Sequence, residues 1–104
     1  ITKIIEDFYG NPKVLTRSKI ERYIDLAQSE GARVSNVRRM LFIRRLMENG
    51  MLLDLSDIEI PTLIMWGESN KWASPEHASK WAEQMPNATL VTYPAYGHVL
   101  MEEG

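Results

Sequence analysis

Two short apolar runs, one from Pro61 through Trp66 and one ending at Tyr93, constrain the fold of this chain more than any other feature. Each is partly β-branched, and each stops at a loop with polar side chains: Gly67 to Asn70 after the first, Pro94 to His98 after the second. Between them Ser74, Pro75 and Glu76 read as a helix start, with a hydroxyl N-cap and proline at the first helical position. Ala78, Trp81, Ala82 and Met85 then share one helical stripe, which assigns Trp81 to the core. Strand, helix, strand is a βαβ unit, whose two strands are expected to be parallel neighbours. Both loops therefore open at one edge of the sheet, the edge where open α/β folds bind their ligands.

The first strand ends in Trp66-Gly67-Glu68. A polar loop, the Ser74-Pro75-Glu76 helix start, Met85-Pro86-Asn87-Ala88-Thr89-Leu90, a strand and Gly97-His98 follow. This order closely resembles the last third of an α/β-hydrolase, strongly over Ile58 to Gly104 and weakly over the preceding helices. The resemblance implies an α/β fold with a helical cap segment over residues 1–57 and part of the hydrolase core over residues 58–104. In that family the loop after the first of these strands usually carries the catalytic acid, and Gly-His supplies the catalytic histidine. Carried over, His98 is the histidine and Asn70 stands at the acid position. Trp72 in the acid loop and Trp66 at the strand end are candidate substrate contacts, although a strand-end tryptophan equally often packs against a cap.

A nucleophile elbow, Gly-x-Ser-x-Gly, is absent, because the serines at 18, 29, 35, 56, 69, 74 and 79 all lack flanking glycines. An acidic residue commonly stands five positions after the family's histidine, ahead of a last helix, and Glu103 fits that spacing from His98. The expectation is a fragment cut at both ends, with the nucleophile on an N-terminal part of the same fold and no turnover by residues 1–104 alone.

Asn70 departs from the family's aspartate. An amide can orient an imidazole but brings no negative charge to stabilise an imidazolium, and in serine proteases that change costs about 10⁴ in turnover. Three readings stand open: an inactivating substitution at Asn70, an acid on a strand outside the sequence, and Glu68 as substitute, the last disfavoured because its side chain leaves the strand end in a different direction.

The reaction class implied is hydrolysis of a small organic substrate through a covalent intermediate. His98 would activate either the nucleophile or the hydrolytic water, with no metal or organic cofactor. A non-catalytic binding protein with a lapsed triad is the alternative. A free-standing helical interaction module is a third reading, which the apolar strands oppose.

The first fifty residues carry ten Lys and Arg against six Asp and Glu, whereas residues 51–104 carry two against eight. Arg33, Arg38, Arg39, Arg44 and Arg45 lack the interleaved aromatics of a nucleic-acid surface, so no nucleic-acid partner is expected. Opposite charge on the two halves favours a cap seated on a catalytic module, weakly and subject to salt. No run approaches the roughly 18 apolar residues of a membrane span, and acids interrupt the first apolar residues, so neither a membrane partner nor a signal peptide is read here. Absence of cysteine permits a reducing compartment, and the cytoplasm is the default location.

The first half reads as three helices. Ile1, Ile4, Ile5 and Phe8 share a face that Gly10-Asn11-Pro12 ends. Thr16 caps a second helix with Ile20, Tyr23, Ile24 and Ala27 in a stripe and Gly31 at its end. Ser35 caps a third, with Val37, Met40, Leu41 and Met47, which stops near Asn49-Gly50. Met51 to Glu59 leads back to the sheet, with Asp54, Ser56 and Asp57 as turn residues. His77, in the first turn of the later helix, reads as structural, and with His98 so distant a metal site is not expected. Tyr93 and Tyr96 flank the histidine loop. Two parallel strands under one helix leave a face and both edges open, so the chain is expected to self-associate.

Overall fold

A computed structural model describes residues 2–49 and 54–104. In chain order these form α1 (Thr2–Glu6), a 3-10 turn (Pro12–Val14), α2 (Arg17–Gln28), α3 (Ala32–Glu48), β1 (Thr62–Gly67), α4 (Pro75–Gln84), β2 (Ala88–Tyr93) and α5 (Leu100–Glu103). Packing divides the chain into two units, Ile1–Thr16 with Asp54–Gly104, and Arg17–Leu53. Ile1, Gly50 and the stretch 51–53 that opens the expected return to the sheet lie outside the described residues.

In the first unit β1 and β2 pair in parallel, in register from Thr62 opposite Ala88 to Gly67 opposite Tyr93. The ladder runs past both ends, through Thr62 N–H to Asn87 O at 3.0 Å and Glu68 N–H to Tyr93 O at 3.0 Å. The crossover is α4, and its first turn forms as its sequence dictates: the Ser74 hydroxyl accepts from Glu76 N–H at 3.3 Å and Pro75 follows the cap. At the other end Met85 N–H closes on Trp81 O at 3.0 Å, and Pro86 cannot extend the helix. The unit is thus α/β, built on a parallel pair.

Side chains alternate along β1, with Ile64 buried and Leu63 and Met65 exposed; Val91 of β2 is exposed as well. Ala78 of α4 is fully buried. One helix covers one face, and the opposite apolar face is bare among the described residues. Trp81 departs from its expected core position, remaining 41% exposed. A sheet of two strands is too narrow to extend beneath the whole indole, which meets Trp66 edge-on, ring centroids 5.6 Å apart and planes at 90°.

α1 is shorter than its apolar stripe predicts. After Glu6 the bonds tighten to Phe8 N–H on Ile5 O and Tyr9 N–H on Glu6 O, both 3.1 Å, which turns Phe8 and Tyr9 out of the helix. Tyr9 is fully buried, and its hydroxyl donates to Glu102 Oε2 at 2.6 Å. At Asp54 the carboxyl is held below its ordinary value by hydrogen bonds from the Ser56 hydroxyl and the Ser56 backbone N–H, the turn chemistry expected there.

In the second unit Ile20, Tyr23, Ile24 and Ala27 of α2 are half-buried, as their stripe requires. Ser35 does not cap α3. Gly31, at φ +77°, reverses the chain, and its carbonyl already accepts from Ser35 N–H at 2.9 Å, so the helix begins at Ala32. Gly31 therefore opens α3 rather than closing α2. Val37, Met40, Leu41 and Met47 are exposed, because α3 has apolar residues all round, interleaved with its five arginines, and α2 covers one side at most. Among the described residues no helix is long and apolar enough to cross a membrane.

Candidate active site

Parallel pairing sends the loops after β1 and β2 out of the same edge, and backbone bonds stitch them together. Ser69 N–H donates to Tyr96 O at 3.0 Å and the Ser69 hydroxyl to Pro94 O at 2.8 Å. Asn70 lies in the first of these loops. Its Oδ1 accepts from Trp72 N–H at 2.9 Å and Ala73 N–H at 3.2 Å, an Asx turn that shapes the approach to Ser74 and α4. No hydrogen bond joins Asn70 to His98 among the described residues.

The second loop carries His98, whose imidazole is exposed. Tyr93 and Tyr96 stack at its base, centroids 5.6 Å apart and planes at 15°. His98 is held by its main chain: its N–H donates to Phe8 O at 2.7 Å, and Val99 N–H reaches the same carbonyl at 3.3 Å. The Phe8 ring lies 5.7 Å from the imidazole and 5.3 Å from the Trp72 indole, so one aromatic side chain from the N-terminal segment touches both loops. Lys71 Nζ pairs with Asp7 Oδ1 at 3.2 Å beside it.

The structure thus brings His98 and Trp72 together through Phe8, a residue read from sequence only as part of a helical stripe. It uses Asn70 to build the loop that carries Trp72, and turns its amide oxygen inward. Trp66 is directed elsewhere: its indole packs on Trp81 of α4, and its buried Nε1–H has no hydrogen-bond partner among the described residues. Glu68 is exposed at the strand end. His77 Nδ1 lies 3.2 Å from Ser74 O in the first turn of α4. Among the described residues no three His, Cys, Asp or Glu side chains gather as metal ligands.

Three glycines make this assembly possible by absence of a side chain, since none of the three has a positive φ. A Cβ on Gly97 would lie 2.5 Å from Gly10 N and 2.6 Å from Phe8 O, one on Gly10 would meet Ala95 O, and one on Gly67 would meet the carbonyls of Tyr96 and Gly97. The only signal of this in the sequence is that each glycine follows an aromatic residue: Tyr9, Trp66 and Tyr96.

An exposed imidazole on a backbone-fixed loop, beside an aromatic wall, is equipped to take and give a proton. A model of the alpha/beta hydrolase fold family matches residues 2–104. No curated protein and no solved structure matches the chain. With a parallel strand pair, two loops gathered at its carboxyl edge and a family match over almost its whole length, the chain belongs to the alpha/beta hydrolase fold family.

Proposed function

We propose that residues 1–104 supply the histidine side of a hydrolytic centre that cleaves a small organic substrate. His98 acts as general base, and the nucleophile lies on polypeptide outside this sequence. The observation that carries the reading is the position of His98 on a loop stitched to the Asn70 loop at the carboxyl edge of a parallel pair. Trp72, 54% exposed and next to Phe8, is the proposed substrate contact, and Trp66, whose indole packs on Trp81, is left out of that role. The helices before residue 58 act as the cap and residues 58–104 as part of the core; Ile1–Thr16 nonetheless pack with the sheet unit. A cytoplasmic location fits the absence of cysteine.

The test is ester hydrolysis by the chain alone and by the full product of its gene. Residues 1–104 alone are expected to be inactive, and turnover by them that His98→Ala abolishes would contradict the assignment of the nucleophile.

One observation favours a second reading, a binding protein of the same fold. Asn70 gives its amide oxygen to its own loop, and no carboxylate reaches the imidazole among the described residues. In that case the gene product binds a small apolar ligand, seen as a change in Trp72 fluorescence, and hydrolyses nothing.

A further inference from the structure

Glu103 accepts four backbone hydrogen bonds beside the histidine loop. Its Oε1 accepts from Gly97 N–H at 2.7 Å and Gly10 N–H at 3.1 Å; its Oε2 accepts from Gly10 N–H at 3.0 Å and Asn11 N–H at 3.1 Å. Gly97 immediately precedes His98, whose own N–H is held by Phe8 O. One carboxylate therefore joins the two segments whose backbones flank the imidazole, across more than ninety residues of sequence.

We propose that Glu103 is a positioning residue for His98: it locks the Gly97 amide to the turn at Gly10 and Asn11, and so fixes the imidazole against Phe8. This rests on the reading of His98 as the reactive histidine. Main-chain amides facing one concave spot bind an anion well, and here the chain supplies its own. Charge-assisted bonds of this kind are shorter and about twice as strong as neutral ones. Both oxygens are engaged by N–H donors, so a glutamine cannot replace the carboxylate: one of its ends is an NH₂ that would face another donor. Glu102, next to it, performs a different task by accepting from the Tyr9 hydroxyl.

The lock acts on geometry, so its test needs no turnover. In the Glu103→Gln variant of the 1–104 chain, amide exchange at Gly97 and Gly10 should rise by about tenfold or more, as expected when charge-assisted bonds are lost. The His98 ring protons should lose the ring-current shift imposed by Phe8, while the amides of α4 keep their protection. An unchanged His98 ring signature in a folded Glu103→Gln chain, with the Gly97 amide released, would overturn the proposal and leave Glu103 a tie between chain ends. Should that variant not fold, Glu103→Asp, which keeps the charge but withdraws it by one carbon, carries the same pair of measurements with the same expected and contrary results. Failure of the hydrolytic reading would show instead as turnover by the gene product that ignores His98.

Discussion

Gly97 and Gly31 are both glycines in turns, yet they are required for different physical reasons. At Gly97 the backbone conformation suits any residue, and the space does not: a methyl group would press on Gly10 N and Phe8 O. Gly97→Ala should therefore cost about 2 to 3 kcal/mol of stability, the range for overpacking a tight contact. At Gly31 a methyl group meets nothing within 4 Å, and the penalty comes from φ +77° alone. Gly31→Ala should cost about 1 kcal/mol, typical of an L side chain in the left-handed region. Urea unfolding of the two variants gives the comparison, and a larger loss at Gly31 would contradict the close approach. Asn70 was legible as a loop residue at the correct strand tip. The direction of its amide was not, because an Asx turn depends on the backbone two and three residues on rather than on Asn70 alone. Asn70→Ala should speed amide exchange at Trp72 and Ala73, whereas Asn70→Asp, which keeps an oxygen acceptor, should preserve their protection.

The βαβ unit was readable because apolar runs, helix cap and breaker agree. Ser74 and Pro75 start α4, Pro86 follows its end, and the short apolar, partly β-branched run from Pro61 to Trp66 has the form of a strand, although which of its side chains would be covered shows only in the structure. Ser74→Ala should cost about 1 kcal/mol, as loss of a hydroxyl N-cap does; thermal unfolding followed by circular dichroism measures it, and Ser74→Asp should recover most of the loss. The N-terminal helices were less readable. A stripe of apolar residues marks a helix without stating where it ends, and α1 yields after Glu6 because Phe8 and Tyr9 are drawn to partners more than eighty residues away. Ser35 looked like a cap because it is a serine before an apolar stripe, but a glycine able to adopt positive φ four residues earlier starts the helix first.

Across the whole molecule, the feature the sequence foretold by elimination is the uncovered sheet face. Parallel sheets are ordinarily covered on both sides, and here Leu63, Met65 and Val91 remain exposed opposite α4. That surface is the proposed site of self-association. Leu63→Thr combined with Val91→Thr should lower the sedimentation coefficient of a concentrated solution toward that of the monomer with little change in the unfolding midpoint. Equal sedimentation of variant and wild type would place the contact elsewhere. What no local pattern could disclose is the closure of residues 8–11 onto residues 97–103, which joins groups up to 93 positions apart. It is made by the backbone groups of Phe8, Gly10, Asn11 and Gly97 to Val99, the Tyr9 hydroxyl and the carboxylates of Glu102 and Glu103, which share no periodic signature.

The central claim, that His98 is the reactive histidine of a hydrolytic centre, meets its most direct test in initial rates of p-nitrophenyl ester hydrolysis by the full gene product and its two histidine variants. His98→Ala should lower the rate by about 10³-fold or more, the scale set by losing a triad member, while His77→Ala should leave it within about twofold of wild type, as expected for a first-turn contact outside the reacting groups. Hydrolysis that survives His98→Ala, or that falls equally in both variants, would contradict the account.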